Sequence, residues 1–123
     1  MSEIRATTIS DSAGTGPITL TGQSAAKAWV SINQSSTLVV NSSFNISSSV
    51  DVQTGYSYHN LTNSYSNTHF TRSASASSNI LQSGQYEAVA WPKGVGSFWL
   101  YAHWQGTVYD LLSVVATTHG DLA

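Results

Sequence analysis

The feature that most constrains this chain is a period of two. Short runs alternate large apolar with small polar side chains, and no run repeats the i, i+3, i+4, i+7 spacing of a helix face over three turns. The first clear case lies in Gln23 to Ile32 and just beyond, where Ala28, Val30 and Ile32 alternate with Trp29, Ser31 and Asn33. Successive side chains of a strand point to opposite faces, so this spacing sends one set into a core and the other outward. The signal returns in Leu38 and Val40, in Phe44 and Ile46, and in Val50 and Val52, followed by a Thr54-Gly55 turn into Tyr56-Ser57-Tyr58. Later, Tyr86 to Trp91 stops at Pro92-Lys93-Gly94. Ser97 to Trp104 carries large residues at both parities, as expected of a strand covered on two sides. Gln105-Gly106 turns the chain, and Val108 to Ala116 is the last long apolar run. Between Asn60 and Gln85 the large residues thin to Tyr65, His69 and Phe70, and Arg72 to Asn79 is low in complexity, so one or two strands with long loops are expected there. The pattern predicts an all-β fold: an antiparallel β-sandwich or barrel-like domain of about seven or eight strands.

An extended N-terminal leader is expected to precede that domain. Residues 1–22 hold Ile4, Ile9, Ile18 and Leu20 among Thr, Ser, Asp, Gly and Pro, with a turn at Gly14-Thr15-Gly16-Pro17. Those four side chains have almost nothing nearby to bury them, which makes them candidate oligomer or anchor contacts. The β-domain is assigned to residues 23–123. At 123 residues with 41% hydrophobic content and four tryptophans, the chain can bury a core despite holding 22 serines and 13 threonines.

Charge excludes one class of partner. Charged residues make up 8% of the chain against about 25% in ordinary domains. Arg5, Lys27, Arg72 and Lys93 are scattered, so no cationic cluster exists to displace counterions from phosphate, and nucleic acid is not an expected partner. No run approaches the ~20 apolar residues of a membrane helix, and no apolar stretch of a signal peptide follows Met1 to Arg5. Synthesis in a cytoplasm and no membrane insertion are expected. There is no cysteine for a disulfide or a thiolate metal site.

The chemistry-bearing residues do not assemble into an active site by spacing. His59, His69, His103 and His119 are too far apart in sequence for a compact zinc motif, and no metal or cofactor is expected. The six acids are dispersed, and no Gly-x-Ser-x-Gly elbow is present, so an enzyme is not expected. The Asn-x-Ser/Thr triplets at Asn33, Asn41, Asn45 and Asn60 are read as structural, because triplets of this kind arise by chance at such Ser/Thr density. Tyr56, Tyr58, His59, Asn60 and Tyr65 form the candidate ligand cluster. Aromatic faces stack on the apolar edges of sugar rings, and asparagines nearby (Asn60, Asn63, Asn67) suit hydroxyls. Cross-strand aromatic pairs within a sheet are the favoured explanation of the same residues.

Residues 2–30, from Ser2-Glu3-Ile4-Arg5 through Gly14-Thr15-Gly16-Pro17-Ile18-Thr19-Leu20 to Ala28-Trp29-Val30, resemble the opening of small tail-fibre-type virion proteins of tailed bacteriophages, the marine and cyanobacterial kind in particular. Ser43-Phe44-Asn45-Ile46-Ser47-Ser48 and the ending Gly120-Asp121-Leu122-Ala123 are similar to segments of that family. Asn33-Gln34-Ser35-Ser36 replaces the family's Gly-containing turn, and Val50 to His59 stands where its Asp-Asn-Gly-rich hairpin would be. The resemblance implies a non-enzymatic β-domain of a virion, often a homotrimer. The expected setting is a short trimeric tail fibre or appendage attached through the leader; a capsid decoration (cement) protein and a host-receptor or glycan-binding head are the alternatives. Its expected partners are copies of itself, other virion proteins of tail or capsid, and a host surface glycan.

Overall fold

A computed structural model describes residues 26–77 and 86–123. Through them run β1 (Ala28–Asn33), β2 (Val39–Phe44), β3 (Ile46–Gln53), β4 (Tyr56–Leu61), β5 (Thr71–Ser77), β6 (Glu87–Gly94), β7 (Ser97–Trp104), β8 (Thr107–Val108) and β9 (Ser113–His119), with no helix among the described residues. The strands form two sheets. The first has the order β2-β1-β9-β5, and the second the order β3-β4-β7-β6 with β8 on β7. Every pairing is antiparallel, and the sheets face one another as in a β-sandwich. The leader residues Ile4, Ile9, Ile18 and Leu20 lie outside the described residues.

The alternation in sequence becomes the partition between core and surface. The first sheet sends Ala28, Val30 and Ile32 from β1, and Val114, Ala116 and Thr118 from β9, between the layers. From the second sheet, β4 contributes Ser57, His59 and Leu61, while β7 contributes Phe98, Leu100 and Ala102. Each large side chain sealed in this way contributes about 1.5–3 kcal/mol. Phe98 and Leu100, both with no exposed surface, form its centre.

The chain crosses from one sheet to the other at Asn45. The run holding Phe44 and Ile46 reads as one strand in sequence, but Asn45 adopts φ 58°, a left-handed conformation that asparagine tolerates better than most residues. Its side chain makes the corner specific. Nδ2 donates to the carbonyls of Lys27 and Asn63 at 3.0 Å each, and Oδ1 accepts from the Asn63 amide at 2.7 Å. On the opposite flank Arg72 joins the layers, its Nε donating to the Ala90 carbonyl at 2.9 Å and Nη1 to that of Phe70 at 3.0 Å.

One end of the sandwich is sealed by the loop after β4. Tyr65 stacks on Phe70 with ring centres 4.3 Å apart, and its hydroxyl meets Thr118 Oγ1 at 2.6 Å. The C-terminus is stitched to the same loop: the Ser66 amide donates to Asp121, and the Ala123 amide to Ser64. At the other end, Gly55 turns β3 into β4 at φ +69°. Its amide donates to Asp110 Oδ1 at 2.6 Å, and a Cβ there would stand 2.9 Å from the Ala102 carbonyl oxygen and the Tyr109 nitrogen.

Several expectations change. The described residues hold nine strands against the expected seven or eight, because Thr107–Val108 forms a short β8 of its own; β5, through low-complexity Arg72 to Ser77, falls where one or two strands were expected. β7 is not covered on both sides: Phe98, Leu100 and Ala102 are buried, whereas Trp99, Tyr101 and His103 are half-open. Of the expected Leu38 and Val40 pair only Leu38, just before β2, packs against the core, while β2 itself is exposed along its whole length. An edge strand pairs on one side only, and this one has little of the facing sheet beneath it.

Candidate functional site

The outer face of the second sheet collects five large aromatics, Tyr56, Tyr58, Trp91, Trp99 and Tyr101. Period two in β4 turns Tyr56, Tyr58 and Asn60 outward, and in β7 it does the same for Ser97, Trp99, Tyr101 and His103. The register places Tyr56 opposite Tyr101, Tyr58 opposite Trp99, and Trp91 of β6 opposite Trp99. Tyr56 and Tyr101 stack with centres 5.3 Å apart. Tyr58 meets Trp99 edge-on at 5.3 Å, and Trp91 meets Tyr101 edge-on at 4.6 Å. Tyr101 also stacks on His103 at 5.0 Å. Val50 opposite Tyr58 and Val89 opposite Tyr101 extend the apolar strip on either side.

Two charged side chains frame it, at opposite ends of β6. Lys93 Nζ sits 4.3 Å from the centre of the Tyr58 ring and 5.8 Å from that of Trp99, held by the negative faces of the rings. Glu87 lies beside His103, with Oε2 3.5 Å from Nε2. A strip of half-buried rings with its charge at the rim has the composition of an interface core.

A second apolar surface lies at the β2 edge of the first sheet, which among the described residues pairs only with β1. Val39, Val40 and Phe44 on β2 are 51%, 40% and 53% exposed, and Val52 on β3 is 48% exposed. β2 reads Val-Val-Asn-Ser-Ser-Phe, with no charge and no proline. Lysine, proline or a covering element usually blunts such an edge, because its unpaired amides and carbonyls invite another strand. Here the apolar side chains stand in the open. The chain enters β1 at the same place, where Trp29 lies opposite Phe44.

The expected ligand cluster is divided by the sandwich. Tyr56, Tyr58 and Asn60 lie on the aromatic face, but His59 has the opposite parity and is fully buried, and Tyr65 is 1% exposed inside the end-sealing loop. Neither His59 nor Tyr65 can touch a glycan in this fold. Asn60 is engaged by Ser48, its Nδ2 donating to the hydroxyl at 2.8 Å, while Asn63 belongs to the Asn45 corner. Trp91, Trp99, Tyr101 and Lys93, which the sequence reading did not single out, complete the face. Their outward parity with Tyr56 and Tyr58 was visible in the alternation, but the pairing of β4 with β7, some forty residues apart, was not.

Inside the sandwich His59 joins a polar chain. Ser49 Oγ lies 2.8 Å from Nδ1 and Ser57 Oγ lies 3.1 Å from Nε2; Gln34 Nε2 donates to Ser57 Oγ at 3.4 Å. Desolvation by burial lowers the His59 pKa from 6.5 to about 4, so the ring is neutral at pH 7. Ser57 and His59 have the spacing of a nucleophile and its base, yet both have no exposed surface, and a substrate would have to part the sheets to reach them. Burial likewise raises the pKa of the Tyr65 hydroxyl, with the Thr118 bond opposing it. No group of three His, Asp or Glu side chains suited to a metal ion occurs among the described residues. Comparisons with protein-family models, with curated proteins and with solved structures find no match for this chain.

Proposed function

We propose that the chain is a non-enzymatic structural protein of a tailed-phage virion, a short trimeric tail fibre or appendage attached through its N-terminal segment. The phage setting rests on the resemblance of residues 2–30, 43–48 and 120–123. The observation that carries the assembly role is the open edge of β2, an uncharged strand with Val39, Val40 and Phe44 in solvent. Such an edge is a template for another chain. An edge taken up by a different surface of a neighbour is a heterologous contact, which makes a ring where the rotation closes, and three copies form the ring proposed here. Ile4, Ile9, Ile18 and Leu20 of the segment before β1 supply apolar side chains for the contact with neighbours and particle. The capsid decoration role uses the same contacts on the shell in place of the tail.

Native mass spectrometry of the full-length chain tests the trimer. The chain count is expected to be a multiple of three, and Val40→Lys, which puts a charge on the open edge, is expected to remove that factor of three. A wild-type count not divisible by three overturns the trimer. Deletion of residues 2–22 is expected to reduce occupancy on the particle while the domain stays folded; full occupancy overturns the anchor. Imaging of whole particles separates tail from capsid. Tyr56→Ala with Tyr58→Ala is expected to leave host adsorption unchanged, and loss of adsorption with intact assembly would favour the glycan-binding reading.

A further inference from the structure

The aromatic face of the second sheet has a property that a face made for an unrelated ligand would not need: its charges are complementary to themselves. Glu87 and Lys93 both project from β6 on the outer side, six positions apart, about 20 Å along the strand. Glu87 is opposite His103, and Lys93 lies over Tyr58 and Trp99, so the two charges frame the rings from opposite ends. Among the described residues Lys93 has no carboxylate partner, and His103 alone neighbours Glu87. A two-fold axis parallel to the sheet, above its outer face and perpendicular to β6 at the level of Ala90, lays one copy face-down on the other with β6 antiparallel to its mate. It sets the ammonium of each copy against the carboxylate of the other and lays ring strip against ring strip.

We infer that this face is a two-fold interface that pairs the chain with a second copy of itself. The contact is isologous, with the same patch on both sides. Four strands at ~4.8 Å spacing and about seven residues at ~3.3 Å each outline a flat footprint of roughly 450 Å² per copy. A pair therefore covers a footprint of roughly 900 Å², close to the ~1,000 Å² that a specific contact needs. Half-buried tyrosine and tryptophan at the centre with charge only at the rim is the anatomy of a stable interface. The β2 edge is on the other sheet, so the pairing is independent of the proposed trimer and doubles whatever that edge builds.

Charge reversal tests the pairing, because Glu87 and Lys93 are exposed and their replacement leaves the core intact. The full-length wild type is expected to count six chains, or two if the trimer fails. Lys93→Glu alone and Glu87→Lys alone are each expected to halve the count and to weaken pairing by roughly tenfold or more through like-charge contacts. Mixing the two single variants is expected to restore it, since one copy then brings two carboxylates and the other two ammoniums. The doubly exchanged protein is expected to pair with itself. A wild type that counts three chains or one overturns the inference, as does a count that neither reversal changes or a mixture that fails to pair. An unpaired wild type whose tryptophan emission shifts on titration with dextran or polygalacturonate gives the face to a sugar and also overturns it. A factor of two lost without the factor of three, or the reverse, tells the failure of this inference from that of the trimer.

Discussion

His59 makes the stability of this domain depend on pH in a calculable way. The ring is sealed between the sheets with a hydroxyl on each nitrogen, Ser49 on Nδ1 and Ser57 on Nε2. These partners serve a neutral imidazole in either tautomer, but an added proton would be a charge in an apolar layer beside Phe98, whose ring centre is 5.3 Å away. The folded pKa is therefore about 4 against 6.5 in the unfolded chain. Above pH 6.5 both states are neutral at His59, which contributes no slope. Between pH 6.5 and 4 the unfolded chain binds a proton that the fold refuses, so stability falls with pH by about 1.4 kcal/mol per unit. The total loss is about 3 kcal/mol, and below pH 4 the slope vanishes because both states carry the proton. Urea unfolding followed by tryptophan fluorescence at pH 7.5, 6.5, 5.5 and 4.5 measures this directly. At about 1–3 kcal/mol per molar urea, the midpoint is expected to drop by about 1–3 M across the window. His59→Gln keeps hydrogen-bonding capacity toward both serines and cannot titrate, so the difference between the two proteins cancels every other group. A difference that stays flat from pH 6.5 to 4 would refute the assignment of His59 as a buried neutral ring.

Three further perturbations probe the framework. Tyr65→Phe removes the hydroxyl that meets Thr118 at 2.6 Å and leaves the ring stack on Phe70, with an expected cost of about 1–3 kcal/mol in chemical denaturation. Phe98→Ala opens a cavity in the centre of the sandwich and is expected to cost about 3–5 kcal/mol, the largest of the set. Gly55→Ala and Gly106→Ala both place alanine at positive φ. Only the first drives a Cβ to 2.9 Å from backbone atoms, whereas the second meets nothing within 4 Å. Thermal melts are expected to show Gly106→Ala mildly destabilised, by about 1–2 kcal/mol from the left-handed backbone alone, and Gly55→Ala well beyond it. Equal shifts would mean that the Gly55 corner has room the structure does not show.

The alternation of the sequence alone determined that the domain is all-β and which side chains of β1 face inward, whereas large residues at both parities of β7 left its inward face to the tertiary structure. Ala28, Val30 and Ile32 could not all be hidden by any other regular structure, because only a strand repeats every two residues. The same rule assigned Tyr56 and Tyr58 to one face, and it equally implied that His59, between Tyr58 and Asn60, points the other way. Treating the stretch as a cluster in sequence lost that parity, and Tyr65 was misplaced for a different reason. Its burial depends on Phe70, Thr118 and the C-terminal Leu122 converging on one loop, a long-range meeting that no local pattern encodes. Strand order, too, belongs to tertiary structure. β9 pairs with both β1 and the low-complexity β5, whose alanines and serines carry weak local preference and become a strand because a neighbour offers its hydrogen bonds. The break at Asn45 and the exposure of β2 follow from which strands lie at the edges. The aromatic face exists because register sets β6 and β4 on either side of β7, bringing Lys93 over Tyr58 and Trp99 from thirty-five residues and six residues away in the chain. Local spacing determines which way a side chain points, but only the pairing of distant strands decides what it points beside.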